Sequence, residues 1–359
     1  MTTGSTTASR AALSTGALAT GLLATAAGAA FAAGAALAAR WVGRRRGQLS
    51  GIPAELRSPV AWFPLPLGPT ALRALRRLPS VATPVRPGVS TERHTVSVPG
   101  ASPVGVVVYR PTDRAAPSGA LVWVHGGGLV LGDTELYHDL CSGFADDLDI
   151  LVVSVDYRLA PEHPFPAALD DCYTALRWLH AEADVLGVDR DRIAVGGDSA
   201  GGGLAASLAQ LAHDRGEVPV CFQLLVYPML DDRTVLREDH GGRGAAVWTP
   251  SANRFGWSSY LGHEPTAGPE RPYAAAARRD DLTGLPPAWI GVGDLDLFHD
   301  EDLDYATRLR AAGVACELYV VPGMYHATER FRPTAPSMVD FRRRVTEALR
   351  GGLDRASVA

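Results

Sequence analysis

From residue 104 onward the chain repeats one pattern: a short apolar run rich in β-branched residues, a turn of small residues, then a stretch with helical periodicity. The runs fall at 104–109, 120–125, 150–156, 193–197, 221–227, 288–292 and 316–321. Most are continuous rather than alternating, as strands covered on both faces require, and helical patterns at 167–182, 200–213, 301–312 and 337–350 supply crossovers between parallel neighbours. The alternation predicts an α/β architecture with a mostly parallel central sheet flanked by helices. Residues 229–272 break the rhythm and carry Trp248, Phe255, Trp257 and Tyr260 among polar residues and glycines, as an insertion packed over the end of the sheet would.

Before the repeating region, residues 47–95 are rich in Pro and Arg and read as a linker with a short helix near 70–78, ended by Pro79. Residues 11–39 carry no charge and consist almost wholly of Ala, Gly, Leu and Thr. That is long enough to span a bilayer, although Ala, Gly and Thr dilute the apolar character. Arg10 stands alone in front of the stretch, whereas Arg40, Arg44, Arg45 and Arg46 follow it, so the expected arrangement is a membrane anchor with the rest of the chain on the cytoplasmic side. A cleaved signal ending around 36–39 and a soluble extension are the alternatives.

All 34 basic residues are Arg, which excludes a P-loop lysine, a Schiff base and a Ser-Lys dyad. With a net charge of -5, no nucleic-acid footprint is expected. Cys141, Cys172, Cys221 and Cys316 are too far apart for a C-x-x-C metal or redox motif and read as buried free thiols.

Gly197-Asp198-Ser199-Ala200-Gly201 fits G-x-S-x-G, and it lies between an apolar strand run and an Ala-rich helical run. In such a turn the serine is held in a strained conformation that demands small neighbours, and its hydroxyl sits at a helix N-terminus. His125-Gly126-Gly127-Gly128 follows the 120–124 strand run, where consecutive glycines allow backbone N–H groups to converge on one point. Gly126, Gly127 and Ala200 are the expected oxyanion donors, and His125 is expected to be structural. A serine needs a base, and of the histidines after it His326 stands in a turn just beyond the 316–321 strand run. His213 falls late in a helix, and His240 and His263 fall in the insertion. The carboxylate that would orient the base follows the 288–292 run, where Asp294 and Asp296 are equivalent on pattern alone, and Asp300 and Glu301 suit the start of the next helix.

Four separated motifs in this order, His125 to Gly128, Asp156 to Ala167, Gly197 to Gly202 and Asp296 to Glu301, with His326 behind them, resemble the bacterial hormone-sensitive-lipase-like family of α/β-hydrolase esterases over about residues 110–350. The resemblance implies the α/β-hydrolase fold, with a helical cap made from the N-terminal region and the insertion. The expected division is a leader and basic flank at 1–46, a linker and N-terminal cap part at 47–95, a core at 96–228 and 273–352, and a cap insertion at 229–272. It implies Asp296 as the acid, short or medium acyl esters as substrates, and no metal or cofactor. Arg158 and Glu162 are expected to pair within the 157–167 scaffold. The family usually carries Gly after its histidine, where this chain has Ala327.

These residues read as a serine ester hydrolase working through an acyl-enzyme on a small-molecule ester, with Trp248, Phe255, Trp257 and Tyr260 as the expected pocket lining. The same three groups would also serve an amide, carbamate or lactone. A ligand-binding receptor that has lost hydrolysis is disfavoured because Ser199, Asp296 and His326 are all present. Oligomeric state is not legible in the sequence.

Overall fold

A computed structural model describes residues 35–64 and 67–356, with side chains to residue 354. The chain divides into two units at Ser50 and Gly51. Of the first, the described part is a helix over residues 35–48, α1. The leader expected at 11–39 lies outside the described residues except for 35–39. Among the described residues no helix is long and apolar enough to cross a membrane.

The second unit is built on one eight-stranded sheet: β1 (Val89–Val96), β2 (Val104–Pro111), β3 (Ser118–Val124), β4 (Leu151–Asp156), β5 (Val188–Asp198), β6 (Phe222–Val226), β7 (Ala288–Gly293) and β8 (Cys316–Val321). The spatial order is β1-β2-β4-β3-β5-β6-β7-β8. β1 and β2, and β2 and β4, pair antiparallel, and every later pairing is parallel. This is the α/β-hydrolase arrangement, and the continuous apolar runs explain it: every residue of β3, β6 and β7 is buried, which requires helices on both faces.

The helices are α2 (Pro69–Leu75), α3 (His138–Leu148), α4 (Ala167–Ala181), α5 (Ala183–Leu186), α6 (Ala200–Arg215), α7 (Pro250–Leu261), α8 (His299–Ala311), α9 (Thr328–Phe331) and α10 (Pro336–Ala356). α3 and α10 meet on one face of the sheet, and α4 and α6 pack together on the other. α8 joins the second group, where its Tyr305, Ala306 and Leu309 share a core with Ala205 and Ala206 of α6. Cys141 and Cys172 are buried free thiols, and Cys221 and Cys316 are half-buried ones.

Two expectations are corrected. The sheet begins at Val89, inside the stretch read as linker. Its sequence VSTERHTV has no apolar run because β1 is an edge strand, mostly exposed, held by its register on β2 and by the Arg93–Glu135 ion pair. Arg158 does not pair with Glu162. Its guanidinium meets the buried Asp171 carboxylate of α4 at 2.7 and 2.9 Å, with the Arg158 backbone N–H donating to the same group. Glu162 instead takes Arg76 at 2.6 Å, since the chain turns between the two residues.

Candidate active site

β5 ends in the turn that carries Ser199 at φ 54° and ψ −123°, a conformation that costs of order 1–3 kcal/mol for a residue with a Cβ. The turn is fixed by its backbone: Ser199 N–H donates to Val226 O at 2.9 Å, while Ser199 O accepts from Gly203 and Met229. A Cβ on Gly201 would stand 2.1 Å from Val124 O, so the approach of α6 to β3 requires glycine there.

His326 is delivered by the turn after β8. Its Nε2 lies 2.9 Å from Ser199 Oγ and its Nδ1 lies 2.9 Å from Asp296 Oδ2. Asp296, fully buried, accepts the Phe298 N–H on its other oxygen at 3.0 Å. Asp294, equivalent to Asp296 on pattern alone, accepts from Gly323 N–H at 2.6 Å and so braces the turn that carries His326. Tyr227 and Phe298 stand edge-on to the imidazole at 4.9 and 5.2 Å between ring centres. Ser199 and His326 are each 5% exposed. Burial opposes the imidazolium, but the charge and hydrogen bond of Asp296, aided by Glu329 and Asp198, outweigh it and raise the His326 pKa above 6.5.

The glycine loop after β3 is anchored at its first residue. Gly126 N–H donates to Asp198 Oδ1 at 2.9 Å and to Tyr137 OH at 2.8 Å, and Tyr137 OH donates to Asp198 Oδ2. This corrects the expectation for Gly126: its amide is already committed. The amides of Gly127, Gly128 and Ala200 have no partner among the described residues. His125 is buried, stacked on Tyr157 at 4.2 Å, and donates from Nδ1 to Gly126 O, while burial pushes its pKa down. Arg330 completes the anchor from the other side, lying over the Tyr137 ring at 3.9 Å and 3.8 Å from Asp198. Asp198 was visible only as the variable position of G-x-S-x-G, and no sequence pattern marks Tyr137 or Arg330 as its partners.

The segment read as an insertion lies against this loop. A Cβ on Gly128 would stand 2.0 Å from Trp248, whose ring centre is 6.4 Å from that of His326. Trp257 and Tyr260 of α7 line a cavity of about 10 Å³ beside Ala200, room for one water at most. Phe255 is half-buried against the core and does not line that cavity. Glu301 ties the segment to α8 by accepting Leu230 N–H at 2.7 Å and the Thr234 hydroxyl. The next residue, Asp302, is buried with neither carboxylate oxygen partnered. Burial, then Glu301 and Asp296, drive its pKa well above the usual aspartate range.

A family model described as the α/β-hydrolase fold matches residues 121–330. Carboxylesterase NlhH of Mycobacterium tuberculosis is 37% identical over 294 residues, covering 78% of this chain and 89% of its own. Among solved structures, a bacterial heroin esterase superimposes with a TM-score of 0.72 at 37% identity, over 85% of this chain and 99% of its own. Esterase LipW from Mycobacterium marinum gives a TM-score of 0.74 at 33% identity, over 85% and 96%.

Two stability outcomes follow. Ala327 occupies the left-handed region at φ 56° and ψ 28°, so Ala327→Gly is expected to raise stability by about 1 kcal/mol in a denaturant titration. Burial holds Asp302 toward its protonated form in the folded chain, so its contribution is fully present below the unfolded aspartate pKa and is lost as pH rises through the raised folded one. Asp302→Ala is therefore expected to stabilise by about 1–3 kcal/mol at pH 8 and by less at pH 4. An equal effect at both values would contradict the buried, protonated state.

Proposed function

The chain belongs to the hormone-sensitive-lipase-like family of α/β-hydrolases and is a hydrolase of the carboxylesterase type, and from that premise we propose that it cleaves short- to medium-chain acyl esters through a Ser199 acyl-enzyme. Ser199 Oγ attacks the ester carbonyl while His326 Nε2 takes its proton. Asp296 holds the imidazole by Nδ1 and stabilises its cation. The tetrahedral oxyanion is received by the amides of Gly127, Gly128 and Ala200, each worth on the order of 10²–10³ in rate. His326 then passes the proton to the leaving alcohol, and water repeats the attack on the acyl-enzyme to release the acid.

The observation that carries this reading is the pair of 2.9 Å separations joining three side chains from three different turns. Support for short acyl groups comes from the tightness of the site, with Trp248 against the glycine loop and Trp257 and Tyr260 closing the space beside Ala200. In this reading Trp248, Trp257 and Tyr260 border the acyl group, and residues 229–272 act as the cap.

Ser199→Ala is expected to lower kcat for p-nitrophenyl butyrate on the order of 10⁶-fold and to abolish fluorophosphonate labelling. The palmitate ester should turn over more slowly than the butyrate, and the reverse order would overturn the chain-length reading. The base works only when neutral, so kcat/KM should rise with pH through an inflection above 6.5, which Asp296→Asn moves downward. An inflection that stays put in Asp296→Asn would remove Asp296 from its role.

A further inference from the structure

A cavity of about 1000 Å³ lies on the sheet face shared by α3 and α10, at the upper end of the size range of small-molecule sites. Neither Ser199, Asp296 nor His326 lines it. Its outer wall is the segment 83–87, fixed to α3 by the Arg86 N–H, which donates to Ser142 Oγ at 3.0 Å, and by Thr83 Oγ1, which accepts from Asp139 N–H. Val85, Leu136, Leu140, Phe144 and Val345 give it an apolar surface. Asp198, Tyr227 and Arg330 form its inner end.

The charges along this surface are equal in number but unevenly paired. Arg86, Arg330, Arg342, Arg343 and Arg350 line the cavity with Asp139, Asp147, Asp198 and Glu347. A fifth acid, Glu329, lines it too and accepts the Tyr227 hydroxyl. Arg86 pairs with Asp146 and Asp147, Arg330 with Asp198, and Arg343 with Asp340 and Glu347. Arg342 and Arg350 meet only the carbonyls of Glu329, Pro333 and Asp147 among the described residues. At a spacing of eight with Thr346 between them, they share one face of the helix.

We propose that this cavity is a second binding site, separate from Ser199, for an amphiphilic monocarboxylate. Its head group takes a guanidinium fork of α10, at Arg342 or Arg350, which suits a planar carboxylate, and its chain lies along Val85, Leu140 and Val345. The inference rests on the proposed esterase activity only for the source of the ligand, since hydrolysis of an acyl ester releases that class of acid. Occupancy bears on the catalytic centre through Arg330, which touches both Tyr137 and Asp198, the two groups that hold Gly126.

The test is calorimetric titration of octanoate into the full chain carrying Ser199→Ala, repeated with Arg342→Gln and Arg350→Gln added and with Leu140→Trp added. Melting temperatures establish that each variant folds. The expected result is one site whose Kd rises about tenfold or more on loss of the two guanidiniums, is lost in Leu140→Trp, and is not reproduced by 1-octanol. An octanoate affinity unchanged by both sets of substitutions would place the acid at the ester site and overturn the proposal, as would no binding at millimolar octanoate. With Ser199 restored, Leu140→Trp should keep its p-nitrophenyl acetate hydrolysis. Binding without hydrolysis would leave this site standing and refute the esterase reading, and hydrolysis without binding would do the opposite.

Discussion

The backbone of α6 approaches the end of β3 so closely at Gly201 that no side chain fits between them. That approach is what holds Ser199 in its strained turn. The neighbouring strand supplies Val226 O for the serine N–H, and the helix and the 228–229 turn take the serine carbonyl. A conformation that costs of order 1–3 kcal/mol is thus over-determined by hydrogen bonds and close packing that no alternative turn would keep. The placing of the serine at a helix start is a consequence of sheet packing.

The same packing sets the glycine loop. Asp198, one residue before the serine, reaches back to Gly126 N–H, and Tyr137 and Arg330 surround its carboxylate. Three segments far apart in sequence converge on one buried carboxylate: the end of β5, the loop after β3 and the short helix after His326. Removing one partner of such a group strands the others, because a buried carboxylate without donors costs more than any one of its bonds returns. The loop's first amide is spent on this anchor, and the amides that follow it have no partner among the described residues.

How far the sequence could be read follows from the same physics. Seven strands announced themselves because burial on both faces forces continuous apolar runs, and Ser199 and His326 stood out because each follows such a run, whereas Asp296 and Asp294 follow the same run and only the family resemblance told them apart. β1 did not, because an edge strand needs no apolar face on its open side. The pairing of Arg158 was misread since a local spacing says nothing of α4, which folds back to place Asp171 beneath it. Gly126 was misassigned for a related reason. A run of glycines shows that amides can converge, but which of them is already bonded depends on Tyr137 and Asp198, eleven and 72 residues away.

Residues outside the motifs are where this chain departs most from a bare scaffold. Glu329 takes the hydroxyl of Tyr227, which stands edge-on to His326, so the wall of the imidazole is set by the helix that follows it. Arg330, the next residue, reaches Asp198 and lines the cavity between α3 and α10. One turn of helix therefore touches both the base and the anchor of the glycine loop. A displacement of α9 would reach both at once, since the core around them is close-packed. The short segment between β8 and α10 thus contacts both the surroundings of His326 and the carboxylate that anchors the glycine loop.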